Sequence, residues 1–127
     1  MKVLFVSLLS FLLQACSTSS ESHIQQAELL ALLQSDATPA IIDVRSSMEY
    51  NSGHIPDAQH IPFWQSFTSD ALDSYDKQNE LVLYCEHGPR AGIAKFAYFL
   101  AGFENIHYLE GHMTAWRSAD LPMEKNK

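Results

Sequence analysis

Basic residues are scarce in this chain. Eight Lys and Arg stand against fifteen Asp and Glu in 127 residues, a formal net charge of −7. No surface of that balance neutralises a phosphate backbone, so nucleic acid is not an expected partner and a small substrate is. Cysteine is scarcer still, with Cys16 and Cys85 as the two thiols. They form no Cys-x-x-Cys pair, which excludes the usual dithiol redox motif. His54 and His60 have no second cysteine or carboxylate cluster beside them, so no metal site is expected, nor is an organic cofactor. Apolar runs of the roughly 20 residues needed to span a bilayer as a helix are missing. There is no internal repeat and no low-complexity tract beyond one serine-rich stretch. What remains is a chain of single-domain length, 46% hydrophobic and 18% charged, a composition that supports a buried core.

The first fifteen residues, MKVLFVSLLSFLLQA, carry one charge at Lys2, an apolar run from Val3 to Leu13 and a small residue before Cys16. That three-part pattern predicts a secretory signal over residues 1–15. The end LQAC resembles the lipobox of bacterial lipoproteins, whose cysteine becomes the lipidated first residue, with Gln14 an uncommon neighbour. Cys16 is therefore the expected lipidation site, and residues 16–22 the tether. The expected location is the cell envelope, lipid-anchored or periplasmic, and Ser17 is compatible with an outer-membrane destination. A Cys16–Cys85 disulfide, the ordinary expectation for an exported pair, would join a polar tract to an interior strand end and constrain little.

The domain itself is expected over 23–122, with a tail over 123–127. Helix formers in QQAELLALLQS predict a helix with Ala27, Leu30, Ala31 and Leu33 as its apolar stripe. Strands are predicted at 40–44, near Gln59 to Ile61, at 81–85 and in NIHYLEG. Ser46 or Ser47 caps a short helical turn. A helix is expected within 63–76 around Phe67, Leu72 and Tyr75. Another follows residue 90 through Ile93, Phe96, Ala97 and Leu100 to a stop at Gly102, and a last one ends at Pro122. Strands alternating with helices predict an α/β domain with a mainly parallel sheet flanked by helices on both faces.

In such sheets ligands bind beyond the carboxyl ends of the strands. Cys85 stands at that end of the most apolar strand, in LVLYCEHGPR. Gly88 permits a tight backbone curl, and Pro89 is pre-set for the first turn of a helix. A strand turning sharply into a helix points free amides and the helix dipole at one spot. Such surroundings lower a thiol pKa and favour the nucleophilic thiolate.

Three segments resemble the rhodanese-like sulfurtransferases. CEHGPR looks like that family's Cys-x-x-Gly-x-Arg loop. IIDVRSSMEYNSGHIPDAQHIP resembles its Asp-Val-Arg segment and Gly-His-Ile-Pro signature. YLEGHMTAW resembles its closing Gly-Gly-x-x-x-Trp segment, with His112 where a second glycine is usual. The resemblance implies a five-stranded rhodanese-like domain in which Cys85 accepts sulfur as a persulfide and passes it on. Sulfur donors such as thiosulfate and thiol or cyanide acceptors are the implied partners. The backbone of Glu86, His87, Gly88, Pro89 and Arg90 is then the persulfide cradle, one donor short because Pro89 has no N–H.

Several roles stay open at this stage. Arg90 holds either an anionic donor or a neighbouring carboxylate. Glu86 and His87 are either a solvated pair or groups that tune donor choice and proton supply. Asp43 and Arg45 are expected to organise the adjacent strand end, with Arg45 a candidate to line the mouth of the site, and His54 to hold its own loop. Two rival functions are a non-enzymatic or relay module of the same fold and a cysteine phosphatase. The phosphatase signature has five residues between Cys and Arg, whereas four lie here.

Overall fold

The computed structural model describes residues 22–126. The predicted signal, Cys16 and all of the tether before residue 22 lie outside the described residues. Five strands form one sheet: β1 (His23–Ile24), β2 (Ala40–Asp43), β3 (Gln59–His60), β4 (Leu81–Tyr84) and β5 (Ile106–Leu109), in spatial order β1-β5-β4-β2-β3. Every strand pairing is parallel. Between them run helices α1 (Gln26–Leu33), α2 (Ser47–Ser52), α3 (Pro89–Leu100) and α4 (His112–Ser118). This is the predicted α/β architecture. Two-residue β1 has too little periodicity to read locally; it exists because β5 offers it a partner, pairing His23 with Tyr108 and Ile24 with Leu109.

Alternation along the central strands builds two cores. Ile42, Leu81 and Leu83 face the side covered by Ala91, Ala94 and Tyr98 of α3. Ile41, Val82 and Tyr84 face the other, where Leu29 of α1 and Met113 and Trp116 of α4 pack. Strands buried on both faces read as continuous apolar runs for this reason. Ile41, Ile42, Leu81, Val82, Leu83 and Tyr84 are all essentially inaccessible, and each such side chain contributes about 1.5–3 kcal/mol by leaving water.

Four local expectations are corrected. The stretch 63–76 is no helix but one 3₁₀ turn (Phe63–Gln65) followed by turns; Ser69 competes for the backbone, its hydroxyl accepting the Ala71 N–H at 3.2 Å. In α1 the buried position is Leu29, while Ala27 and Ala31 face solvent. In α3 the small residues Ala91, Ala94 and Ala97 are buried, and Ile93, Phe96 and Leu100 point outward at 45%, 57% and 62% exposure. Close approach of α3 to the sheet selects alanine over the larger apolar residues, so the size of the side chain misled the choice of face. Helix α4 also ends at Ser118, four residues before Pro122. Beyond that proline the chain stays ordered, since His54 and Glu124 exchange two backbone hydrogen bonds of 2.9 Å.

At the end of β2, Asp43 and Arg45 form a buried ion pair with 0% and 1% exposure. The Asp43 carboxylate accepts from Arg45 Nη2 at 2.7 Å, from Nε and from the Arg45 backbone N–H. Arg45 Nη2 also donates to Gly53 O at 2.7 Å. Burial alone would lower the Arg45 pKa; the Asp43 hydrogen bonds and charge, with Glu86, hold it above its ordinary value. Asp43→Ala leaves a buried cation without its counter-charge, and breaking such pairs costs about 3–5 kcal/mol. Urea unfolding is expected to show a loss of that order, against a much smaller one for Glu28→Ala on exposed α1. Equal losses would sink this account of the pair.

Candidate active site

Register carries the Asp43–Arg45 segment to Cys85. Asp43 lies opposite Tyr84 in the β2·β4 pairing, and Val44 N–H continues it to Tyr84 O at 3.0 Å. Cys85 is the first residue beyond β4, fully buried, and the one free cysteine among the described residues. From there the chain reverses into α3 within four residues. Gly88 takes φ 130°, where a side chain is strained, and a Cβ there would lie 3.3 Å from His112 Nε2. Pro89 opens α3 as expected.

The sulfur sits among donors. Gly88 N–H points to Cys85 Sγ at 2.9 Å. Burial pushes the thiol pKa up, but hydrogen bonds from the His112 side chain and from the Ala91 and Gly88 amides outweigh it, and the pKa falls from 9.0 to about 7. The curl that the glycine and proline predicted thus delivers two amides to one atom.

His112 lies outside the cysteine loop that the sequence marks out, yet it reaches that loop in the fold. It is 9% exposed, lies at the start of α4 with φ 52°, and its Nδ1 accepts the Cys85 N–H at 3.2 Å. The next amides of α4 complete the junction: Met113 N–H donates to Cys85 O at 3.0 Å and Thr114 N–H to Glu86 O at 3.3 Å. Helix α4 therefore spends two of its otherwise unpaired first amides on the carbonyls of the cysteine loop. The available signal was a histidine at a glycine position inside a matching motif.

Around this centre the charges are paired. Arg90 makes a two-pronged bond to Glu49, Nη1 to Oε2 at 2.7 Å and Nη2 to Oε1 at 2.8 Å, so the carboxylate alternative describes it here. The same Glu49 closes a capping box with Ser46 at the start of α2. Arg90, then Ser46, hold the Glu49 carboxyl well below its usual range. The Ser46-x-x-Glu49 spacing was visible in the sequence, but its link to Arg90 spans 41 positions.

Glu86 is no solvated residue. It accepts from Arg117 Nη1 at 2.6 Å, from Arg45 Nη1 at 3.2 Å and from Thr114 Oγ1 at 3.4 Å, and Arg117 first, with Arg45, lowers its pKa. His87 is exposed, with Thr114 Oγ1 3.2 Å from its Nδ1. Arg45 does not line a mouth: it is buried behind the loop. His54 is buried, holds Tyr50 O at 2.8 Å through Nδ1 and stacks on the Tyr50 ring, a loop-holding role away from the sulfur. No cluster of metal-binding side chains occurs among the described residues.

A model of the rhodanese-like domain matches residues 25–119. An uncharacterised protein of Synechocystis is 36% identical over 113 residues, 89% of this chain and 62% of its own length, so the chain spans less than two thirds of that relative. The thiosulfate:glutathione sulfurtransferase of Saccharomyces cerevisiae is 31% identical over 94 residues, covering 65% of this chain and 68% of the yeast protein. Among solved structures, the Alr3790 protein from Anabaena superposes with a TM-score of 0.72 at 28% identity, over 81% of this chain and 82% of that one.

Two measurements check the electrostatics. The rate of Cys85 alkylation by iodoacetamide, read on the Cys85 peptide by mass, is expected to rise with pH through a midpoint at about 7; a midpoint near 9 contradicts the donor arrangement. Because the folded thiol ionises before the unfolded one, its contribution to stability is absent below about pH 7, grows as pH rises and is complete above 9. The unfolding free energy of the native chain relative to Cys85→Ser is therefore expected to increase between those limits.

Proposed function

The chain belongs to the rhodanese-like family, and on that premise we propose that it is a sulfurtransferase that carries sulfane sulfur on Cys85. The observation that supports this best is the placing of one buried sulfur against the Gly88 and Ala91 amides at the start of α3. The yeast relative is named for sulfur transfer from thiosulfate to glutathione, and the same chemistry is proposed for this chain with thiosulfate as donor and a thiol or cyanide as acceptor.

In the first half-reaction the Cys85 thiolate attacks the outer sulfur of thiosulfate. The bond between the donor's two sulfurs breaks, sulfite leaves with its electron pair, and a sulfur–sulfur bond forms at Cys85. The negative charge passes to the terminal persulfide sulfur, within reach of the loop amides. In the second, cyanide or a thiolate attacks that terminal sulfur, and Cys85 leaves as the thiolate. Cys85 has no exposed surface in this conformation, so donor entry requires the loop and its covering side chains to shift. Arg90, 28% exposed and held by Glu49, is the cation nearest to hand for an entering anion if that pair opens.

The loop length favours this reading over phosphate hydrolysis. Four residues separate Cys85 from Arg90, which makes a cradle for one sulfur rather than for a tetrahedral phosphate. The decisive experiment treats the full chain with thiosulfate and weighs it. Native protein is expected to gain the mass of one sulfur on Cys85, to lose it to cyanide as thiocyanate, and to leave an aryl phosphate intact, while Cys85→Ser gains nothing. Absence of the gain with thiosulfate and other sulfane donors would instead favour a binding module.

The cell-envelope placement is part of the same proposal and rests on the leader sequence and Cys16. Expression with a labelled fatty acid in a bacterial host is expected to label native chain and not Cys16→Ser. Equal labelling, or none, would remove the lipid anchor.

A further inference from the structure

Loop 86–90 offers the sulfur fewer amides than its length allows, because Pro89 has no N–H. A further polar side chain, His112, approaches Cys85 from the other side of the junction. Gly111 and His112 both have left-handed backbones, with φ 70° and 52°. A left-handed conformation is uncommon for a residue with a Cβ and persists where the surroundings hold it. Here the imidazole is turned back onto the end of β4. Its Nδ1 accepts the Cys85 N–H at 3.2 Å. A neutral imidazole that accepts at Nδ1 carries its proton on Nε2. That nitrogen lies over Gly88, 3.3 Å from where a Cβ on that residue would stand, and Gly88 N–H is itself 2.9 Å from Sγ. The ring therefore lies between the Cys85 main chain and Gly88, beside the sulfur, and its presence lowers the Cys85 thiol pKa.

We propose that His112 is a catalytic hydrogen-bond donor to the Cys85 sulfur, supplying through Nε2–H the contact that Pro89 withholds from the loop. The proposal rests on the sulfur-transfer reading and deepens it. Thiolate and thiosulfate dianion become persulfide anion and sulfite dianion with no proton gained or lost. His112 therefore acts as a fixed dipole toward a negative sulfur, not as an acid or base. It serves the thiolate before attack and the persulfide after it, from a ring already oriented by the Cys85 backbone. The other groups that face the sulfur are the Gly88 and Ala91 amides, Arg90 of α3, which feels the Cys85 charge, and Tyr108 of β5, which feels it too. Glu86 is turned away to Arg45 and Arg117. None of these replaces a neutral donor fixed at Nε2.

The test compares the full native chain with His112→Asn and His112→Gly, since asparagine tolerates the left-handed backbone and glycine relieves it. The pH profile of alkylation at the Cys85 peptide is expected to move its midpoint upward from about 7 by about one unit in both variants, a roughly tenfold loss of thiolate below the midpoint. Turnover with thiosulfate and cyanide is expected to fall in kcat with little change in KM. An unchanged midpoint in either variant, with native circular dichroism and melting, overturns the proposal. The alkylation profile needs no sulfur donor. A shifted midpoint in a chain that never gains sulfur would therefore support the His112 contact while refuting sulfur transfer.

Discussion

The structure depends on how the turn into α4 grips Cys85. The Cys85 carbonyl accepts Met113 N–H, and the Cys85 N–H donates to His112 Nδ1. With its main chain held at both polar atoms and its side chain fully buried, Cys85 keeps Sγ against the Gly88 amide. The same contacts satisfy donors at a helix start that would otherwise need water. One junction thus solves a packing problem for α4 and a positioning problem for the thiol. It joins β4, which supplies the central strand of the sheet, to the helix whose Trp116 and Met113 fill one of the two cores.

Charge is arranged around that junction so that almost nothing ionic is left unpaired. Arg45, buried at the end of β2, answers to Asp43 behind it and Glu86 in front. Glu86 in turn is held by Arg117 from α4, and Arg90 by Glu49 from α2. Each link ties a different element to the cysteine loop, which makes the loop stiff through ion pairs between elements rather than through its own sequence. A buried network of this kind is costly when half made and specific when complete. With those cations taken up by carboxylates, the groups that lower the Cys85 thiol are the His112 imidazole and the Ala91 and Gly88 amides.

The resulting chemistry is that of a soft, partly ionised sulfur with no second thiol at hand among the described residues. Such a sulfur is suited to taking and giving one sulfur atom. It is also open to oxidation, which burial here moderates.

Sequence alone determined the alternation of strand and helix, the position of Cys85 at a strand's carboxyl end, and the roles of Gly88 and Pro89. Those follow from local rules: apolar runs, turn residues and the few conformations a glycine or proline favours. Family motifs added the Asp43–Arg45 segment and the five-stranded count that two-residue β1 could not announce. Tertiary structure decided which face of α3 is buried, because the distance between helix and sheet selects alanine. It decided that 63–76 has no long helix, that Arg90 belongs to Glu49 and Glu86 to two arginines, and that His112 receives the Cys85 N–H. The ion pairs and the His112 contact join residues tens of positions apart, and His112 also rests on a left-handed backbone. For the ion pairs and His112 the physical reason is shared: the partner is chosen by the sheet register and by how the helices dock on the sheet, and neither is written in any local stretch.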